Sequence, residues 1–120
     1  MPNLCGSVCQ YYPQSTMSKS GAEILDWKIA AAANAELWND SSVTHLAEWY
    51  DVEAFRKGGN NLDAIQRSEV GDVTDKRLLH LQCNAGLDTL SWARLGATAT
   101  GVDIAHRPLE TARGLSLIHI

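Results

Sequence analysis

The sequence of 120 residues has no surplus of positive charge: 14 acids against 10 lysines and arginines leave a net charge of −4. A nucleic-acid or anionic-membrane surface needs a basic patch, so neither partner is expected. No run approaches the ~18 apolar residues of a membrane span. The opening "MPNLCGSVCQYYPQST" lacks a basic start and a continuous apolar core, so it does not read as a secretory signal. Cysteine is scarce and odd in number: Cys5, Cys9 and Cys83. Without a signal, that count points to reduced thiols in the cytoplasm rather than a disulfide framework. Cys5 and Cys9 have no nearby Cys or His pair to complete a zinc site, so no metal is expected.

What remains is ordinary for a soluble globular protein: 45% of residues are apolar and 20% charged. The length allows one small domain. Residues 1–16 show neither helical nor strand period and read as a disordered or non-native leader. Met17 offers an alternative start. From 21 to 39 the spacing is helical, with Ile24, Trp27, Ala31, Ala35 and Trp38 on one face. The alanines at 30–33 favour helix intrinsically. "NDSS" at 39–42 reads as a break that offers caps. A second helix is expected over 43–57, with Val43, Leu46, Ala47, Tyr50 and Ala54 near one stripe. "GGNN" stops it, and a short third helix fits 62–70. The tryptophans at 27, 38, 49 and 92 read as helix-packing groups.

After the polar turn "GDVTDK" the pattern changes. Residues 77–83 are mostly apolar and bounded by turns, which favours a strand. Residues 87–95 are helical, with Leu87, Leu90, Ala93 (or Trp92) and Leu95 inward and Gly96 as C-terminal cap. A second strand fits 97–104, where Thr98, Thr100 and Val102 are β-branched. A helix begins at His106, with Pro108 in its first turn. Strand, helix and strand this close imply a right-handed parallel crossover. Two parallel strands need both faces covered, so the chain reads as the front of a longer α/β domain.

In such folds ligands sit beyond the carboxyl ends of the strands. The loop at 82–86 ends the first strand and Asp103 ends the second, so both face one crevice. Asp103 can accept hydrogen bonds from both ribose hydroxyls, and Gly86 lets backbone approach a ligand. Asp103 could instead cap the helix that follows, and Gly86 could serve only the turn. His80, between leucines, reads as a satisfied interior histidine. Cys83 reads as a small buried group. His45 and Tyr50, in the helices before the sheet, could face a substrate or simply pack.

The string "LLHLQCNAGLDTLSWARLGATATGVDIA" resembles motif I and the following acidic motif of class I S-adenosylmethionine-dependent methyltransferases. It is nearest to a branch with a Leu-His-Leu-Gln-Cys core. "LW" at 37–38, "YDVEAF" at 50–55, "GG" at 58–59 and "GDV" at 71–73 extend the resemblance over 36–113. It implies a Rossmann-like doubly wound α/β fold: a helical cover over 17–73, then the first β-α-β-α of the cofactor-binding domain over 74–113. It also implies S-adenosyl-L-methionine as cofactor, a small-molecule substrate, and cofactor contacts from Gln82, Cys83, Asn84, Gly86, Asp103 and Ile104. Gln82 and Asn84 stand where the family's common motif I carries its two earlier glycines, and His80 where it carries an acid. No catalytic residue is assigned. The family's domain has about seven strands and this chain supplies two, so the parent is expected to be the enzyme and this part inactive alone. The end "GLSLIHI" at 114–120 resembles translated sequencing-adapter read-through; the alternative is a third strand from Leu115.

A dinucleotide is disfavoured. Its loop needs G-x-G-x-x-G, and the matching places hold Asn84, Gly86 and Thr89. Asp88, in the first helical turn, would also repel a diphosphate. The competing reading from another class is a non-catalytic module that works by protein contact.

Overall fold

The computed structural model describes residues 9–11 and 26–118. The elements run β1 (Cys9–Tyr11), α1 (Trp27–Trp49), α2 (Val52–Arg56), α3 (Ala64–Val70), β2 (Arg77–Leu81), α4 (Leu87–Arg94), β3 (Thr98–Asp103) and α5 (His106–Ile118). The strands form one parallel sheet in the order β1-β3-β2. Leu79 lies opposite Thr100 and Leu81 opposite Val102. Both strands therefore end side by side at Gln82 and Asp103. The expected β-α-β-α order is present, with strand and helix ends within two residues of expectation except at the end of α5.

Most of the leader lies outside the described residues. Its reading as unstructured is corrected at Cys9–Tyr11, which pairs with β3 in parallel, Cys9 opposite Gly101 and Tyr11 opposite Asp103. An open strand edge presents unpaired N–H and C=O groups to any extended segment, whatever its side-chain period. Period could not have revealed this strand.

The two helices expected before the sheet are one: α1 runs unbroken through residues 39–42. Ser41 and Ser42 return their hydroxyls to the carbonyls of Leu37 and Asn39, at 2.8 and 3.0 Å. Bonded this way, serine is tolerated inside a helix instead of opening a new one. Asn39 does cap, but a distant helix: its Oδ1 accepts the N–H of Arg107 at 3.0 Å, in the first turn of α5. Asp40 adds an exposed ion pair with Arg107 at 3.5 Å. Ile24 lies outside the described residues. Ala31, Ala35, Trp38 and Leu46 are half-buried as their spacing implies. Trp27 and Val43 are not: they are 67% and 77% exposed. Ala47, Trp49 and Ala54 are exposed too. A single long helix docked on α5 can bury only one narrow stripe, and Trp27, Val43, Ala47 and Trp49 fall off it; Ala54 belongs to α2.

The expected helix end at 57 is met by the short helix α2. Asp51 starts it by accepting the N–H of Ala54 at 2.8 Å. Gly58 and Gly59 end it by donating to the carbonyls of Phe55 and Ala54, at 3.0 and 2.9 Å. That is a Schellman cap, and Gly58 takes the left-handed φ of 99° it requires. In α3, Asp63 and Gln66 bond reciprocally to each other's backbone N–H as a capping box.

Helix α4 is the centre of the packing. Leu87, Leu90 and Trp92 are buried, and so are Thr89 and Ser91. Leu87 and Leu90 meet Phe55 and Ala85; Trp92 meets Leu62, Val73 and Ala97. Burying each such large side chain contributes ~1.5–3 kcal/mol. Phe55, not singled out by spacing, is 2% exposed and carries the Arg94 guanidinium 3.8 Å above its ring. Helix α5 buries Pro108, Leu109 and Ala112. It continues past Arg113 and Gly114 as helix, so no strand begins at Leu115. The other sheet face is open among the described residues: Leu79 and Leu81 are 62% and 64% exposed.

Candidate functional site

The loop after β2 holds an unusual backbone. Gln82, Asn84 and Gly86 all have positive φ, at 56°, 48° and 76°. Left-handed backbone normally selects glycine, because a β-carbon there crowds the following carbonyl. Three such residues at two-residue spacing reproduce a glycine loop's path with glycine only at the last place. Cys83 donates its N–H to Val102 O at 3.1 Å, and Gly86 donates to Cys83 O at 2.8 Å. These bonds fix the turn that leads into α4.

Asp103 faces that loop from the end of β3. Its Oδ2 accepts the N–H of Asn84 at 2.8 Å, and its Oδ1 accepts the N–H of Ala105 at 2.9 Å. It therefore ties the loop to Ala105, the residue before α5. Each carboxylate oxygen keeps a second lone pair. Asp103 borders a cleft of about 420 Å³, walled also by Gln82, Asn84, Ile104, Leu81, Val102, Asn34, Trp38, Tyr50 and Pro108. Of these walls only Asp103 carries a formal charge.

Four of the six residues expected at the cofactor, Gln82, Asn84, Asp103 and Ile104, line this cleft. Cys83 and Gly86 do not. The Cys83 side chain is buried. Gly86 is buried against α5, where an added β-carbon would stand 2.7 Å from Ala112 Cβ. Gly86 thus positions the loop through helix packing.

The α1 side of the cleft was less legible. Asn34 and Trp38, four residues apart, share the helix face that meets the loop; a polar residue one turn from a tryptophan was the available signal. His45 sits among aromatics, with ring centroids 5.2 Å from Trp38, 5.6 Å from Trp49 and 5.7 Å from Tyr50. Its Nδ1 is 3.4 Å from Asn84 Nδ2. That places His45 behind the loop and Tyr50 on the cleft. Burial, and secondarily the negative charge of Asp88, push the Tyr50 phenol above its ordinary range.

His80 bonds Thr89 through Nδ1 at 2.8 Å, tying β2 to the buried side of α4. It is an interior partner as its setting between leucines implies. Asp88 is held by the side-chain amides of Asn61 and, at 3.2 Å, Gln66. A negative charge is thereby fixed in the first turn of α4. Among the described residues no group of three or more His, Cys, Asp and Glu side chains could hold a metal ion. No helix among them is long and apolar enough to cross a membrane.

No family model matches the chain. No solved structure matches it. Curated proteins do. A ubiquinone biosynthesis O-methyltransferase of Shewanella pealeana is 32% identical over 71 residues, 56% of this chain and 30% of that protein. The protein of the same name from Saccharophagus degradans is 32% identical over 74 residues, 59% of this chain and 31% of that protein. That of Yersinia enterocolitica is 31% identical over 71 residues, 56% of this chain and 29% of that protein. The match thus spans about 30% of the length of these relatives. The chain is similar to methyltransferases.

Proposed function

We propose that the cleft at the ends of β2 and β3 binds S-adenosyl-L-methionine, and that the chain is the cofactor-binding N-terminal part of a class I, Rossmann-like methyltransferase. The observation that carries the proposal is the glycine-type loop at 82–86 facing Asp103 across the ends of two neighbouring parallel strands. The likeness to methyltransferases supports it.

The residues suit this cofactor. The spare lone pairs of Asp103 suit vicinal hydroxyls. Ile104, beside it, offers apolar surface to the base. Gln82, Asn84 and Asn34 supply neutral amides to the lining. A sulfonium meets no cationic wall. A diphosphate would find neither a cationic side chain on the walls nor a neutral helix start, since Asp88 occupies the first turn of α4.

Bound there, the cofactor supplies a methyl group already activated for in-line transfer to a substrate nucleophile. The protein's part is to hold the two reactants in line, which can lower a barrier by several kcal/mol. The acceptor is a small molecule, and an oxygen nucleophile agrees with the relatives' names. No base is assigned. The open face at Leu79 and Leu81 supports further cover from a longer protein.

The test is calorimetric titration of S-adenosylhomocysteine into the 120-residue chain and into the longer product of its locus. The proposal expects saturable binding that weakens roughly tenfold to hundredfold in Asp103→Ala, the scale of hydrogen bonds to an ionised partner. Unchanged affinity in Asp103→Ala would remove the ribose assignment.

A further inference from the structure

The last turns of α1 and the short helix α2 line a second hollow, an open groove of about 740 Å³. Three of its residues, Leu46, Tyr50 and Val52, pack against the core around Phe55 and Leu87, so this part of the groove is held firmly. Two others, Val43 and Trp49, are among the most exposed apolar side chains described. Trp49 is nevertheless fixed: its ring stacks on His45, with centroids 5.6 Å apart and planes at 27°. Most of its surface stays free for a ligand. Exposed apolar side chains gathered in one hollow mark a binding surface.

Tyr50 lines this groove and the cleft at Asp103 alike, so the two hollows meet at one residue. The cleft, about 420 Å³, is the size that a single small ligand fills. With a methyl donor there, an acceptor needs its own room next to it, because in-line transfer brings the reacting atoms to roughly 3–3.5 Å. The groove offers that room. Its charge restricts what can enter. Glu48, Asp51 and Glu53 stand in the lining against Arg56 alone. Arg56 already pairs with Glu53 at 3.4 Å, and one oxygen of Asp51 caps α2. Glu48 is exposed. An anion would meet repulsion here, whereas a cation could also sit over the indole of Trp49.

We infer that the groove between the end of α1 and α2 is the methyl-acceptor subsite, and that it selects an apolar or aromatic body carrying no negative charge. This assignment rests on the methyl-donor reading above. Trp49 supplies the stacking surface, Glu48 the charge discrimination, and Tyr50 the junction with the cleft.

The experiment is a nitrogen-15 NMR titration of the 120-residue chain saturated with S-adenosylhomocysteine. Three probes carry one phenol ring on a two-carbon arm: 4-ethylphenol is uncharged, tyramine cationic and 3-(4-hydroxyphenyl)propanoate anionic. The first two are expected to bind saturably and to shift amides of residues 43–56. The anion should bind at least about fivefold more weakly, the scale of one unit charge at close range in water. Trp49→Ala should weaken 4-ethylphenol about tenfold, the scale of losing an aromatic contact and its buried area, while S-adenosylhomocysteine affinity changes less than about twofold. Glu48→Lys should remove the preference against the anion and leave 4-ethylphenol unchanged. Both replaced side chains are exposed, so both variants should keep the wild-type fold. Equal affinity for all three probes would overturn the assignment, as would shifts confined to other residues or no effect of Trp49→Ala. A chain that binds S-adenosylhomocysteine but no phenol loses the acceptor subsite and keeps the methyl-donor reading. A chain that binds the phenols but not S-adenosylhomocysteine loses that reading, and the acceptor role falls with it.

Discussion

Replacing Gly86 by alanine tests how the loop is held. Gly86 has φ 76° and ψ 11°, and its ideal β-carbon would lie 2.7 Å from Ala112 Cβ and 3.6 Å from Ala112 Cα. Two penalties combine. Left-handed backbone costs an L-residue roughly 1–2 kcal/mol. Forcing a methyl group into a packed contact costs roughly 1–3 kcal/mol. Ala112 is fully buried, and the clash is with a β-carbon fixed to helix backbone, so no flexible side chain can yield. The expected loss is therefore about 2–5 kcal/mol, a large part of the ~5–15 kcal/mol of an ordinary domain. Urea unfolding measures it directly. Gly86→Ala combined with Ala112→Gly should recover the steric part and leave the backbone part, plus the ~1 kcal/mol that glycine costs inside a helix. A loss below about 0.5 kcal/mol in the single variant would refute the packing argument.

Other perturbations follow from the same contacts. Asn39→Ala should lower stability by about 0.5–2 kcal/mol, because the first turn of α5 loses a cap, whereas Ser42→Ala should be near neutral; denaturant midpoints decide it. Tyr50 titrates higher in the fold than in the unfolded chain because of burial and then Asp88. Above its ordinary range near 10 the unfolded chain loses that proton first, so stability should fall as pH rises there. Tyr50→Phe should flatten the fall in thermal unfolding between about pH 9 and 11, and an unchanged slope would count against it.

Legibility in the sequence followed the range of the interaction. The segment from Arg77 to Arg113 could be read because its signals are local: apolar runs, β-branched residues, Gly96, Pro108. The cleft's two ends were legible for the same reason, since Gln82 and Asp103 end adjacent strands. Residues 39–42 misled because serine and asparagine bond equally well to a local helix start, to their own helix, or to a remote one. Asn39 chose α5, a partner far along the chain that composition cannot announce. Trp27 and Trp49 misled because spacing predicts a helix face but not how much of it finds a neighbour. Cys83 and Gly86 were expected at the cofactor from motif position; both are buried, and burial beneath a loop is set by packing that motif position does not announce.

The most direct measurement is binding of S-adenosylhomocysteine, followed by calorimetry on both the 120-residue chain and the longer product of its locus. The account predicts saturable one-to-one binding that Asp103→Ala weakens. No heat of binding from either protein at millimolar ligand would contradict it, and the cleft between β2 and β3 would then need a different occupant.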